Sequence, residues 1–264
     1  MSASPVDAGG AVQPRLGRAD LHVHTLASDG TSSVSEVLDR VAAAGFLDVL
    51  AITDHERIDS AVAARAMAAD RGMTTAVIVG EEITTRGGHL LGLFLERRVP
   101  ALKSLRWSIE AVHDQGGIAI PAHPLVPYPL CAQGFVLRRL LDDPDPAAHP
   151  DALETLNPTT FGRLWHPRVV AFAAEHRLAQ VGNSDSHAAE TVAMAWTTFP
   201  GRSPEDLRRA IGERTTAHHG TFHGTAGQLG TFGRQLRKYG RDAGATIGGR
   251  IRRDGTGRDL GFPR

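Results

Sequence analysis

The chain has 264 residues, 41% of them hydrophobic and 22% charged, enough to bury one large core without requiring a second domain. Its 29 basic and 29 acidic side chains cancel, but unevenly: residues 1–200 carry 16 basic against 23 acidic groups and residues 201–264 carry 13 against 6, an acidic body with a basic end. The single cysteine, Cys131, excludes an internal disulfide and a thiolate metal site, and neither a membrane-span-length apolar run nor a signal peptide is present, so a cytoplasmic protein with no membrane partner is expected.

Residues 1–17 are rich in Ala, Ser, Pro and Gly and read as a disordered leader. From Arg18 onward, short apolar runs predict strands near Asp20–His24, Val49–Thr53, Thr75–Gly80, His89–Phe94, Ile118–Ala122, Ala152–Leu156, Ala179–Gly182 and Ala193–Phe199. Between them lie helical stretches. Ser33 with Glu36 reads as a capping box, Val34, Val37, Leu38 and Val41 form an apolar face, and Gly45 ends the helix. Other helices are expected at Ser60–Arg71, Lys103–Gln115, Phe135–Leu141 and Pro167–His176. Ser203-Pro204-Glu205-Asp206 begins one more, with a capping serine, proline at the first position and two acids in the first turn. The Pro-rich start of Leu125–Pro150 suggests a long rim segment. Beyond Thr215 the chain becomes Gly- and Arg-rich, so 18–215 is expected to be the folded domain and 216–264 a basic extension. Repeated strand–helix alternation implies an α/β fold with a mainly parallel sheet, flat or closed. Polar residues with chemical potential just past nearly every strand favour a barrel, whose strand ends share one mouth.

Those polar residues recur in order. His22 and His24, two apart in an extended segment, present two imidazoles on one face, a chelating arrangement, and Asp29 follows on the next loop. Thr53-Asp54-His55 closes the next apolar run, Gly80-Glu81-Glu82 closes another, and His89 opens Leu90-Leu91-Gly92. Ala122-His123-Pro124 follows, then Asp185-Ser186-His187 with its two polar residues again two apart. One such group is uninformative; five at successive strand ends are hard to explain as unrelated core histidines.

The ordered set His22-Val23-His24, Ser28-Asp29-Gly30, Thr53-Asp54-His55, Gly80-Glu81-Glu82, His89, Ala122-His123-Pro124 and Asp185-Ser186-His187 resembles the polymerase-and-histidinol-phosphatase (PHP) family over about Asp20 to Phe199. The resemblance implies a distorted (β/α)7 barrel with three divalent ions, Mn, Fe or Zn, at its mouth. It implies one ion held by His22, His24, Glu82 and Asp185, a second by Glu82 with His89 and His123, and a third by Asp29, His55 and His187. Glu82 rather than Glu81 is the ligand implied, two residues after the glycine. The implied reaction is hydrolysis of a phosphate ester by a hydroxide bridging the metals, on a phosphorylated metabolite, a nucleotide or a short nucleic acid. Asp54 and His187 are the candidates for proton transfer, with orientation of a ligand histidine the plainer role for Asp54.

Arg57, next but one to His55, and Arg86, just before His89, are the candidate phosphate contacts; a solvated surface arginine is the plainer reading of each. His113, His149, His166, His176, His218, His219 and His223 receive no role. Arg234, Arg237, Lys238, Arg241, Arg250, Arg252 and Arg253 could meet a polyanion, although such an extension is more often simply solvated. Two other functions fit the residues less well: metal-dependent amide or ester hydrolysis, and a non-catalytic metal-binding module. The short spacing from His89 to His123 leaves no room for an inserted domain over the mouth. Oligomeric state is not encoded in any recognisable way.

Overall fold

A computed structural model describes residues 15–128 and 130–222. The expected leader up to residue 14, His223 and the basic group from Arg234 to Arg253 lie outside the described residues. In chain order the elements are β1 (Leu16–Asp20), α1 (Val34–Ala44), β2 (Val49–Ile52), α2 (Asp59–Asp70), β3 (Ala76–Thr85), β4 (Gly88–Leu93), α3 (Leu105–His113), β5 (Ile118–Pro121), α4 (Gly134–Leu141), β6 (Ala152–Leu156), α5 (Thr160–Glu175), β7 (Ala179–Gly182), β8 (Ala195–Pro200), α6 (Pro204–Glu213) and β9 (Ala217–Gly220).

The sheet runs β5-β4-β3-β2-β1-β8-β9, and β6 and β7 form a separate parallel pair. Strands β1, β2 and β3 are parallel, whereas β4 is antiparallel to both its neighbours and β8 to both of its own. The β6–β7 pair spans the gap in the curl. Asp151 N–H donates to Ala119 O at 2.9 Å on the β5 side; past β7, His24 N–H donates to Ser186 O at 2.8 Å and Ser186 N–H to His22 O at 3.2 Å. The result is a mixed α/β fold, a seven-stranded sheet curled in the manner of a distorted barrel.

All four residues of β2 are buried, which is why that strand reads as a continuous apolar run rather than an alternation. Leu50 and Ile52 pack with Val37 and Leu38 of α1 and Ala61 and Ala64 of α2, on the helix side. Val49 and Ala51 join Leu21, Leu91, Ile120 and Val181 in a second cluster, to which α6 contributes Leu207 and Ile211. The helix ends follow their sequence signals. Ser33 and Glu36 form a full capping box and Gly45 ends α1 at φ 55°; Ser203 and Asp206 form another, with Pro204 in the first turn.

Four elements differ from the sequence-based expectation. The first strand is Leu16–Asp20, ahead of the expected span, because Leu16 to Ala19 pair with β8 and beyond Asp20 the backbone turns to other partners: Leu21 N–H donates to Asn183 Oδ1 and Val23 N–H to Thr53 Oγ1. Strand β3 continues through Glu82 to Thr85, since β4 folds back on it as a hairpin from Thr85–Gly88 to Gly80–Leu93. Helix α5 begins at Thr160 rather than Pro167: the Thr159 hydroxyl accepts from Gly162 N–H and caps it, leaving Pro167 inside the helix. Strand β9 was not expected at all. The anticipated domain limits at 17/18 and 215/216 therefore lie at paired strands, β1 and β9.

Candidate metal centre

The side chains singled out by sequence converge from separate elements. His22 and His24 follow β1, His55 follows β2 and is bridged to Glu82 of β3, His89 lies on β4, His123 follows β5, and Asp185 and His187 follow β7. Glu82 is the hub. Its Oε2 lies 3.2 Å from His22 Nε2, 3.2 Å from His24 Nε2 and 3.3 Å from His55 Nε2, and its Oε1 lies 2.7 Å from His89 Nδ1 and 3.2 Å from His123 Nε2. Asp185 Oδ1 is 3.3 Å from His22 Nε2 and 3.4 Å from His24 Nε2. Asp29 Oδ2 meets His187 Nε2 at 3.0 Å and His55 Nε2 at 3.6 Å. Strand alternation separates the two glutamates: Glu81 accepts from Val99 N–H at 2.7 Å, and burial pushes its carboxyl up to about 7.

These residues fit divalent cations. Three sets have donor atoms within 4.8 Å of one another: His22, His24 and Asp185; His24, Asp29, His55 and His187; and His55, Glu82 and His89. His24 and His55 each belong to two sets, so the ligand groups interlock. Nε2 of His22 and His24 and Nδ1 of His89 are buried without a hydrogen bond although a carboxylate stands close to each. Such atoms are costly unless something else satisfies them, and imidazole and carboxylate are the donors Mn, Fe and Zn accept.

Charge inside the cluster is mutually balanced. Burial alone would lower His22, but Asp185, Glu82 and Glu154 outweigh it and hold the imidazole well above its usual range. The same contest, decided by Asp185, Glu82 and Asp29, pushes His24 up to about 10. In return, and against their own burial, Glu82 is held far below the ordinary carboxylate range by His55, His22 and His89, and Asp185 by His22, His24 and His187. His123 and Asp185 sit in the left-handed backbone region, at φ 32° and 48°, local strain of the kind that functional sites retain.

The geometry places Asp54, Arg57 and Arg86 differently from the ligand candidates. Asp54 is buried and accepts from Thr25 N–H and Oγ1 at 2.7 Å each, and from the hydroxyls of Ser28 and Ser60. It anchors the loop behind the ligands and does not line the cavity. Arg57 is held by Asp59 and by Ala27 O at 2.8 Å. Arg86 donates through Nε to Leu102 O at 2.8 Å. Arg86 lines no cavity at the cluster, whereas Arg57, with Arg98, lines a second pocket of about 540 Å³ that shares His55 with the cluster.

The cavity, about 530 Å³, is lined by Asp29, His55, Glu82, His89, His123, Asp185 and His187, by the apolar segment of Val126, Pro127, Tyr128, Leu130 and Cys131, and by Thr84, Asn157 and Thr159. Sequence reasoning missed several of these supports. Glu154, on β6, reaches His22 Nδ1 at 3.0 Å, and Cys131 Sγ lies 3.2 Å from His123 Nδ1. A signal for the first was present: an acid in the middle of the apolar run Ala152–Leu156.

The PHP domain model matches residues 20–135, and a PHP-associated model matches residues 163–216. An uncharacterized protein of Methanocaldococcus jannaschii is 35% identical over 121 residues, covering 42% of this chain and 69% of that protein. The chain belongs to the PHP family. A 5'-3' exoribonuclease of Haemophilus influenzae is 35% identical over 105 residues, 38% of this chain, and the matched stretch spans little more than a third, 37%, of that enzyme's length. Among solved structures, a two-domain protein of Bacteroides vulgatus, described as containing a predicted PHP-like metal-dependent phosphoesterase, shares the fold at TM-score 0.64 and 20% identity, over 89% of this chain and 74% of that one. PHP membership agrees with the converged donor set, which supplies oxygen and nitrogen ligands from five separate stretches of sequence. No helix among the described residues is long and apolar enough to cross a membrane.

Proposed function

We propose that this PHP domain holds three divalent cations and hydrolyses a phosphate ester. The observation that carries the proposal is the convergence of five imidazoles on the two oxygens of Glu82, with buried ring nitrogens left free of hydrogen bonds beside an open cavity. Asp185 with His22 and His24 would hold one cation, Asp29 with His55 and His187 a second, and His89 with His123 a third, Glu82 being shared. When bound, Mn, Fe or Zn supplies Lewis acidity, neutralising phosphate oxygens and lowering the pKa of water so that a nucleophile forms at neutral pH.

The protein's own groups position and shield. His187 donates from Nδ1 to Asp185 O at 2.9 Å, which fixes its tautomer and leaves Nε2 directed at Asp29. With both nitrogens committed, its role is that of a ligand and not of a proton donor. Asp54 holds the Thr25–Ser28 loop on which Asp29 depends. Val126, Pro127, Tyr128 and Leu130 present an apolar wall to the organic part of the ester, and no Lys or Arg stands among the described residues lining the cavity. The charge of one phosphate would thus be met by cations and the remainder by apolar contact, which suits a small phosphorylated metabolite or a nucleotide. The short-nucleic-acid reading draws on the basic residues 201–264 and on the exoribonuclease relative.

Changing His22→Ala and Asp185→Ala tests this. Each variant should retain fewer cations by elemental analysis than the parent, and phosphate release from a Mn-loaded nucleotide or aryl phosphate assay should fall by roughly 100-fold. Full cation content together with unchanged turnover in both variants would reject the proposal.

A further inference from the structure

Glu154 is a buried acid on β6 that no family motif singled out, and its surroundings are unusual. Its residue is 1% exposed, and four donors face its two oxygens. Oε1 takes His22 Nδ1–H at 3.0 Å and Asn183 Nδ2–H at 2.9 Å. Oε2 takes the backbone N–H of His123 at 2.7 Å and Asn157 Nδ2–H at 3.1 Å. The other hydrogen of Asn157 goes to Asp185 Oδ2 at 3.0 Å, while Asn183 Oδ1 accepts from Leu21 N–H at 3.2 Å, beside His22. One carboxylate therefore touches or reaches three residues of the cluster, His22, His123 and Asp185, which come from three different parts of the chain.

We infer that Glu154 is the positioning residue of the centre: it sets the His22 tautomer, holds His123 at its strained backbone angle and, through Asn157, orients Asp185. The inference rests on the proposed metal-binding role of those three residues. An acceptor at Nδ1 places the hydrogen of a neutral imidazole there, so the lone pair sits on Nε2, the atom 3.2 Å from Glu82 and 3.3 Å from Asp185. The hydrogen bond to the His123 backbone offsets the cost of φ 32° at a residue with a side chain. An amide in place of the carboxylate cannot do this work. With donors already facing both oxygens, the NH₂ of a glutamine would point at a donor whichever way the amide turned.

The test is Glu154→Gln, with His22→Ala measured in parallel, reading cation stoichiometry and affinity by elemental analysis and competition with a chelator. Glu154→Gln should lose at least one of the bound cations on dialysis, or bind it about 10–100-fold more weakly, while the metal-free protein keeps a cooperative melt. Nitrogen-15 histidine NMR of the Zn-loaded parent supplies a reading independent of any variant's folding: His22 should be protonated at Nδ1 and metal-shifted at Nε2. Unchanged cation content and affinity in Glu154→Gln alongside loss in His22→Ala overturns the role of Glu154 alone. So does an NMR pattern with His22 bound through Nδ1. Full cation content in both variants overturns the metal-centre reading itself.

Discussion

Without cations, the imidazoles and carboxylates of the cluster neutralise one another by sharing protons, and any cation must displace them. His24, pushed up to about 10, carries a proton at neutral pH, and His22 is likewise held above its usual range by Asp185, Glu82 and Glu154. Apparent cation affinity should therefore rise with pH, by up to about tenfold per unit for each proton displaced. Calorimetry at pH 7 in buffers of different ionisation heat should detect net proton release; an observed heat independent of buffer would contradict it. Stability of the metal-free protein has the opposite dependence. The contribution of the raised His24 is fully present below about pH 6.5, the unfolded value, and is lost as pH climbs through about 10. At this scale the ligand candidates were legible because their types and order recur, and alternation placed Glu82 and Glu81 on opposite faces. The tasks of Asp54 and Arg86 were not, since proximity in sequence to a ligand says nothing of which acceptor or donor lies nearer in space.

At the scale of elements, the hairpin of β3 and β4 carries two cluster residues, Glu82 and His89, and its turn must be exact. Gly88 has φ 117°, and an added Cβ would lie 2.3 Å from Ala132 N, against the segment that forms the apolar wall. Gly88→Ala should destabilise the protein by at least ~1–3 kcal/mol and shift the wall; denaturant melts measure the first. At the other edge, burial, with a smaller electrostatic contribution from His166 and His219, pushes His218 on β9 down to about 4. This half-buried histidine, held neutral, contributes stability that is present above about pH 6.5 and lost as pH falls toward about 4. Hydrogen-exchange protection at Ala217–Gly220, taken relative to the intrinsic rate at each pH, should fall across that window, and His218→Gln should flatten the change; identical protection profiles for parent and variant would contradict this. Helices α1 and α6 were readable from their caps, which are local. Strand β9 was not, because Ala217–Gly220 has no apolar pattern and exists only by pairing with β8.

For the molecule as a whole, a ligand that binds only the folded state stabilises it by mass action. Chelation should lower the melting temperature and added Mn should restore it, the difference reaching about 2.7 kcal/mol at a free cation concentration 100 times the dissociation constant. A melting curve indifferent to chelator would leave the cluster without a cation. The curl of the sheet was anticipated from strand–helix alternation and the polar strand ends. That the barrel is distorted was expected from the family resemblance alone; the antiparallel pairings of β4 and β8 and the separate β6–β7 pair depend on long-range contacts that short apolar runs do not specify.

The pairing of β1 has a consequence for biosynthesis. The first described strand, Leu16–Asp20, lies between β2 and β8, and the backbone of His22 and His24 just beyond it is hydrogen-bonded to Ser186. Until about residue 200 has emerged, that strand has an unfilled edge and the nascent chain cannot assemble its donor pocket. Arrested chains ending before Ala195 should therefore remain sensitive to protease, and cation protection should appear only once β8 has cleared the exit tunnel.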